Sequence, residues 1–436
     1  MSYPQHSFLL ATFEGGGSVA PALTVARKLL QRGHRVRVMC DASNRVEAEA
    51  VGAVFVPWTR APSRPNRNRD TDILHDWEVP PQEGLLRTLE RLMVGPALAY
   101  AEDLIAELTR EPADLVVGSE MLFGVALGCE AIGQKLAILS ANISLYPLPG
   151  VPPLGPGLLP AQTPEEHAMH EAVAQGLSDM LDSQLPVLNS ARAQLGLAPL
   201  SNVLDQLNAA SAILLGTSRA FDFAPATLPA KVRYVGPQLD QPAWADRSTG
   251  IDLADQRPLI LVAFSTTFQG HVEVLQRVIN SVSRMPVRAV VTLGDTISPG
   301  ELRAPDNVRL VHSASHDELM NEAALLITHG GHGTVTRGLI HELPMLVIPH
   351  GRDQNDNAAR VTSRGAGLML PNGASEDEIE TAVLQLLSDA RFRENARELG
   401  RAVAHDAANS PVVSELEGLA QSNEYACADV QLPVAC

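Results

Sequence analysis

The chain has 436 residues, 45% of them hydrophobic and 19% charged, which is too long for one ordinary core and predicts two or three globular domains. Its 50 acidic and 33 basic residues leave a net charge of −17, which excludes nucleic acid as a general partner because a polyanion would be repelled over the whole surface. The four cysteines, Cys40, Cys129, Cys427 and Cys436, are scattered without CxxC spacing, so neither a disulfide framework nor cysteine metal binding is expected.

At the start there is no basic leader, and the apolar run "FLLATF" stops at Glu14, so no signal peptide is expected. No uncharged apolar stretch reaches the ~18 residues of a membrane span. These features predict a soluble, cytoplasmic protein with no membrane partner. "SFLLATF" reads as a strand, followed by Gly15-Gly16-Gly17 and then by Val19, Ala22, Leu23, Ala26, Leu29 and Leu30 at helical spacing. Pro21 suits the first helical turn, and Ser18 reads as the helix N-cap. "HRVRVMC" and "AVFVPW" are the second and third strands. A helix over 86–110, the strand "ADLVVG", the strand "KLAILS" and a helix over 178–195 continue the alternation.

Two stretches interrupt it, the proline- and arginine-rich 60–83 and the proline- and glycine-rich 146–165. Loops this long in a compact domain are binding loops, lids or disordered segments. Beyond a connector near 221–257 the alternation restarts with "LILVAF", a helix over 271–284, "RAVVTLG", "NVRLVH", "ALLITHG" and "PMLVIPH". The expected fold class is α/β, with two doubly wound, Rossmann-like parallel-sheet domains facing a central cleft. The expected boundaries are 1–220 for the first domain, 221–257 for the linker, 258–388 for the second domain, 389–420 for a C-terminal helix that crosses back to the first domain, and 421–436 for a tail.

The densest chemistry lies in "ITHGGHGTVTRGLIHELPMLVIPHGRDQNDNAAR", 327–360. A strand runs into His329-Gly330-Gly331-His332-Gly333-Thr334, where a helix begins. Such a turn exposes backbone N–H groups and the positive end of a helix dipole, an anion site that a pyrophosphate can approach closely. His329 and the Thr334 hydroxyl add donors. The spacing fits neither the dinucleotide fingerprint nor a Walker loop, which disfavours NAD and ATP. One strand later, Asp353 and Gln354 offer acceptors and a donor suited to sugar hydroxyls. Together they point to a nucleotide sugar.

This segment resembles the donor signature of GT-B-fold glycosyltransferases of the family that includes plant and bacterial natural-product glucosyltransferases: HGGxGT at 329–334, prolines at 344 and 349, and the Asp353-Gln354 pair. The opening βαβ unit with Gly33-His34 and the linker's Gly236-Pro237 extend the resemblance over nearly the whole chain. It implies a donor site in which Ser265 and Thr266 of "AFSTTFQG" cap the diphosphate beside His329, Gly330, Gly331, Gly333 and Thr334. Ser313 and Ala314 in "VHSASH" would meet the nucleobase, with Ser315 replacing the family's usual proline before His316. The implied reaction is inverting transfer from a dTDP- or UDP-sugar to a hydrophobic small-molecule acceptor, as in bacterial natural-product biosynthesis. The sugar is a co-substrate; no cofactor and no metal are expected. His316, His341 and His350 read as core or surface histidines.

Many relatives carry GHVNP after the first strand, with its histidine as general base and an aspartate at a later strand end. Here "GSVAPAL" places Ser18 at the histidine position and "DLVVGSE" places Ser119 at the aspartate position. A serine hydroxyl is no base at neutral pH. Three routes remain: an acceptor needing little base, another residue serving (Glu14 or Glu120, with His75 and Asp76 further off), or lost activity. Glu14 reads equally as a solvated loop carboxylate. The glycines Gly16 and Gly17 would open space for the acceptor, with His75 and Tyr146 beside it and Leu148, Val151, Leu154 and Leu158 forming an apolar mouth. Two rivals stand beside the enzyme: a non-catalytic partner that stabilises another transferase, and a GT-B epimerase. A homodimer is left open.

Overall fold

The computed structural model describes residues 4–240, 255–264 and 267–422. Ser265, Thr266, Cys427, Cys436 and the rest of the tail from 423 lie outside them. The first half builds β1 (Ser7–Ala11), α1 (Val19–Gln31), β2 (Arg35–Cys40), α2 (Arg45–Ala50), β3 (Val54–Pro57), α3 (Pro81–Thr88), α4 (Ala97–Arg110), β4 (Leu115–Ser119), α5 (Phe123–Ile132), β5 (Leu136–Ser140), α6 (Pro164–Asp182), α7 (Leu185–Gln194), β6 (Ala212–Leu215) and β7 (Val232–Tyr234). The second half builds β8 (Leu259–Ala263), α8 (Val272–Ser283), β9 (Arg288–Thr292), β10 (Val308–Val311), α9 (His316–Glu322), β11 (Ala323–Thr328), α10 (His332–Ile340), β12 (Met345–Val347), α11 (Gln354–Ser363), β13 (Gly367–Met369), α12 (Glu376–Ser388), α13 (Ala390–Ala408) and α14 (Val412–Gln421).

The strands form two all-parallel sheets, ordered β3-β2-β1-β4-β5-β6-β7 and β10-β9-β8-β11-β12-β13. Parallel strands need crossover helices on both faces, so successive side chains along a strand enter opposite apolar layers. Leu9 and Ala11 of β1 join the layer of α4 and α5, whereas Phe8 and Leu10 join that of α1 and α14. In β8, Ile260 and Val262 face α8 and α12, while Leu259, Leu261 and Ala263 face α10 and α13. Strand order reverses between β1 and β4 in one sheet and between β8 and β11 in the other. A crevice opens beyond the carboxyl ends of strands at such a reversal.

Four elements differ from the sequence reading. The helix expected over 178–195 is the last turn of α6 followed by α7, separated at Ser183-Gln184, with Pro186 in the first turn of α7. The helix expected over 86–110 is broken by a π-turn at Leu89–Met93 and by Gly95-Pro96. Gly95 lies against the Glu90 carbonyl with no room for a Cβ, and Pro96 lacks the N–H to continue the ladder. β7 pairs with β6 from inside the stretch read as a linker. The helix expected over 389–420 is two helices, α13 and α14, separated at Ser410-Pro411. α14 does cross back: Val412, Leu416 and Ala420 pack with Phe8, Val25 and Leu29 of the first domain. Glu417 accepts from Arg32 at 3.1 Å and meets His34 Nε2 at 2.9 Å.

Leu416 is fully buried in that layer, so truncating it leaves a cavity in the first domain although the residue comes last in sequence. Leu416→Ala is expected to cost about 2–5 kcal/mol. Hydrogen exchange should show the lost protection in β1 and α1. Loss confined to α13 and α14 would contradict the docking.

Candidate functional site

The first reversal carries the glycine loop. Gly16 has φ +75°, the left-handed region that favours glycine. A Cβ on Gly15 would collide with the Phe13 ring, and one on Gly17 would come within 3.4 Å of Asn142 Oδ1. The glycines thus answer to neighbours within the protein. Glu14 is not a solvated loop carboxylate: it is buried, with Oε1 accepting from Gly16 N–H at 3.0 Å and Oε2 from Asn44 at 2.6 Å and Arg67 at 2.9 Å. Every described contact holds it as the anchor of the loop.

Ser18 stands at the N-cap position of α1, yet its side chain makes no capping bond. A cap needs extended backbone to aim its oxygen at the N2 and N3 amides, and Ser18 is already helical at φ −88°, ψ −31°. Its carbonyl accepts from the Thr12 hydroxyl at 3.3 Å. Ser18 and Ser119 line one small void together with Thr12, Gly118 and Ala141. At about 10 Å³ it has room for at most one water.

Glu120, one residue past β4, turns inward and is 5% exposed. Its carboxylate accepts from Ser140 Oγ at 2.6 Å, Ser144 Oγ at 2.9 Å and Leu145 N–H at 3.1 Å. Burial raises its pKa to about 7 against the pull of these donors, with the Asp353 charge adding to the rise. The same short loop serves both carboxylates, because Asp353 of the other domain accepts from Ile143 N–H.

At the second reversal, β11 delivers His329 and the glycine turn to the start of α10. Gly330 has φ +97°, and a Cβ there would meet Val347 at 2.8 Å; one on Gly331 would meet His329 Nε2 at 2.6 Å. Gly333 is different. It is exposed, with no described atom within 4 Å of its would-be Cβ. His329 is buried, and its pKa is held well below the usual imidazole value by burial first, then by His271, His350 and Arg352. It is therefore neutral. Thr334 lies in the first turn, partly exposed, its N–H donating to Gly331 O at 3.0 Å. Ala314 is buried and Ser313 partly exposed; Ser315 caps α9, accepting from Glu318 N–H. The family's proline position has thus become a helix cap.

Gln354 is 1% exposed and bonded on both sides of its amide. Its Oε1 accepts from His350 N–H at 2.7 Å and its Nε2 donates to Gln269 at 2.7 Å. Asp353 bonds Asn357 at 3.0 Å in addition to Ile143. His341 sits apart, between Asp317 and Asn321. His350 is partly buried, its ring edge-on to Phe264 at 5.6 Å. Among the described residues no group of histidine, cysteine, aspartate or glutamate side chains is arranged to hold a metal ion, and no helix is long and apolar enough to cross a membrane.

Both long loops span the crevice. From 60–83, Arg69 donates to Thr296 O at 2.7 Å and stacks on Phe268 at 3.6 Å, Trp77 meets Phe268 edge-on at 5.2 Å, and Asp76 pairs with Arg352 at 3.0 Å. His75 is on this loop at φ 47°, bonded to Glu78 at 3.0 Å and tilted on Trp77. From 146–165, Tyr146 and Leu148 pack on the first domain and Leu154 on the second. Gly155 N–H donates to Asp356 at 2.8 Å. The expected apolar mouth is therefore divided between the two cores. Sequence reasoning missed His271, Phe264, Arg352 and the Ser140–Leu145 loop. Of these, Arg352 was signalled by its place just before the Asp353-Gln354 pair and Phe264 by its place in "AFSTTFQG".

Comparison with known proteins agrees with the two-sheet α/β fold. Residues 276–419 match the erythromycin biosynthesis protein CIII-like C-terminal domain. Over 94% of its length the chain is 28% identical to the 4'-demethylrebeccamycin synthase of Lentzea aerocolonigenes, 99% of which is covered. The solved glycosyltransferase of kitacinnamycin superposes with a TM-score of 0.75 at 18% identity, covering 96% of this chain and 99% of the other. The glycosyltransferase VinC, solved in complex with dTDP, gives 0.66 at 18% identity, covering 95% and 99%. These structures establish the GT-B fold.

Glu120 yields a pH signature. An unfolded glutamate titrates near ~4.3, and Glu120 in the folded chain at about 7. Below both values the protonation states match. As pH rises between them the unfolded chain releases its proton while the folded chain keeps it, so stability drains away. Glu120→Gln has no such drain. Its stability relative to wild type should climb by about 3 kcal/mol between pH 4 and 8, on top of a pH-independent offset for altered hydrogen bonds. Urea unfolding at the two pH values measures it; a flat difference would mean that Glu120 titrates in the folded chain as it does in the unfolded one.

Proposed function

We propose that this chain, a GT-B glycosyltransferase related to antibiotic-type enzymes, moves a sugar from a dTDP or UDP donor to a hydrophobic small-molecule acceptor by a single inverting displacement. The observation that carries the reading is the uncapped start of α10: Gly331, at its N-cap position, has no side chain to close it, and Gly333 leaves its first turn open to the crevice. Oriented N–H groups there are suited to hold a diphosphate and to stabilise it as it departs. Kinship with a 4'-demethylrebeccamycin synthase and with VinC, solved with dTDP, supports a natural-product acceptor and a dTDP donor.

In this reading His329 and Thr334 hold the diphosphate, with Ser265 and Thr266 capping it, and Ser313 and Ala314 flank the base. Asp353 exchanges its bond to Ile143 N–H for a sugar hydroxyl, while Gln354 keeps the turn in shape. Glu120 is the proton acceptor at the first reversal, because a group titrating near the working pH is the efficient base. The Ser18 and Ser119 hydroxyls, at the positions where relatives place the base pair, orient a water or the acceptor. The acceptor lies along Gly16, Gly17 and Tyr146, and the reaction takes place in the cytoplasm.

Titration calorimetry with dTDP and UDP tests the donor site. One of the two should bind, and His329→Ala should weaken it about 10–100-fold, the loss of one hydrogen bond to a charged group. If neither binds the folded protein, the donor signature is vestigial. A role in stabilising a partner transferase, which the paired serines favour, then takes precedence.

A further inference from the structure

Three imidazole rings meet where β8, β11 and β12 end. His271 at the start of α8, His329 after β11 and His350 after β12 pack round the Phe264 ring, at centroid distances of 5.8, 6.1 and 5.6 Å. His271 and His350 are 6.2 Å apart. The helices α8 and α10 both begin here, and neither His271 nor Gly331 caps its helix through a side chain. Their N–H groups and positive dipole ends converge on the rings.

The charged groups facing the cluster are cationic: Arg69 from the 60–83 loop, Arg277 from α8 and Arg352 from the loop after β12. The nearby carboxylates of Asp76 and Glu301 are bonded to Arg352 and Arg69 at 3.0 and 3.2 Å. Burial holds His271 down at about 3 and His350 below the usual imidazole value. In a protein of net charge −17, this is a local environment that favours negative charge.

The hydrogen bonds fix which nitrogen of His350 is protonated. Its Nδ1 lies 2.9 Å from the Ile348 carbonyl, which can only accept, so Nδ1 carries the proton and Nε2 presents a lone pair. That Nε2 is buried and has no partner among the described residues. A diphosphate offers only acceptors, so a bare lone pair repels it and a protonated nitrogen binds it. We propose that His350 is a diphosphate-binding residue that takes up one proton from solvent at Nε2 as the nucleotide sugar binds, keeps it, and donates a hydrogen bond from Nε2–H to a diphosphate oxygen. No bond of the donor breaks in this step. The imidazolium then offsets charge growing on the departing diphosphate, and the proton returns to solvent with product release. The proposal rests on the donor reading given above.

The test is calorimetry with dTDP-glucose and UDP-glucose in buffers of different ionisation enthalpy at pH 6.5 and 7.5. A sugar-esterified diphosphate has no group titrating near neutrality, so any net proton exchange belongs to the protein. Wild type should take up about half to one proton per nucleotide sugar bound, and affinity should fall as pH rises. His350→Asn keeps a donor to the Ile348 carbonyl, and His350→Gln places an uncharged amide near the Nε2 position. Both should bind more weakly and with no His350-linked uptake. Binding to wild type without net proton uptake, as when Nε2 accepts a sugar hydroxyl, overturns the proposal and leaves the donor site standing. Uptake that persists in both variants also overturns it. If neither nucleotide sugar binds wild type, the donor reading itself fails and this inference goes with it.

Discussion

The relation between the two sheets depends on a buried ion pair. Arg360, in the middle of α11, pairs with Asp222 at 2.7 Å, with the two side chains only 2% and 7% exposed. Tyr234 of β7 donates its hydroxyl to Asp222 at 2.6 Å, and Arg360 also donates to the Asp356 carbonyl at 2.9 Å. Such a pair adds little net stability, because desolvation offsets attraction, but leaving either partner alone costs about 3–5 kcal/mol. Its effect is therefore on geometry. It fastens α11, which begins at Gln354, to the connection between β6 and β7 of the first sheet, and His332 bonded to Thr217 at 2.8 Å does the same for α10. The helices that begin at the second crevice are thus anchored to the domain that carries the first.

With the domains so fixed, most polar groups at the crevice find partners across it. Asp353 takes the Ile143 amide, Arg352 takes Asp76, and Asp356 takes the Gly155 amide. Such contacts satisfy groups that would otherwise be buried and unpaired, at a desolvation cost of about 1–3 kcal/mol each. A ligand entering here must exchange these bonds for its own. The net gain is small for a ligand that lacks matching hydroxyls and larger for one that has them, which is how a site made of satisfied groups can still discriminate.

Much of the fold was legible in the sequence because parallel strands buried on both faces leave continuous apolar runs, as in "SFLLA" and "LILVA". The glycine turn at 329–334 was legible for a related reason, since Gly330 and Gly331 tolerate no Cβ. What was not legible depends on partners distant in sequence. His271 and His350 are unremarkable until Phe264 brings them together. Glu14 looks like a loop carboxylate until Asn44 and Arg67 close on it. The helix 86–110 follows helical periodicity through its own break, because the pattern of apolar residues does not report the close packing of Gly95 on Glu90. Gln354 shows a related limit: the motif does not report that its side chain bonds the His350 amide and Gln269.

The serine substitutions are best understood through charge. A histidine and aspartate pair at the first reversal would bring a proton acceptor and a negative charge to the carboxyl ends of β1 and β4. Here both positions are uncharged hydroxyls round a void of about 10 Å³. The negative charge has not vanished from this end of the sheet; it has moved one residue on, to Glu120, and inward. Three donors, Ser140 at the end of β5 and Ser144 and Leu145 in the loop after it, hold that carboxylate, while burial and the facing Asp353 resist its ionisation. The opposition leaves Glu120 titrating near neutrality, the property that a serine pair cannot supply. Because Ile143 and Leu145 tie the two carboxylates to one loop, displacing Asp353 from Ile143 alters the field at Glu120. In this arrangement, the bonding of Asp353 and the basicity of Glu120 are linked through three residues of backbone, Ile143 to Leu145.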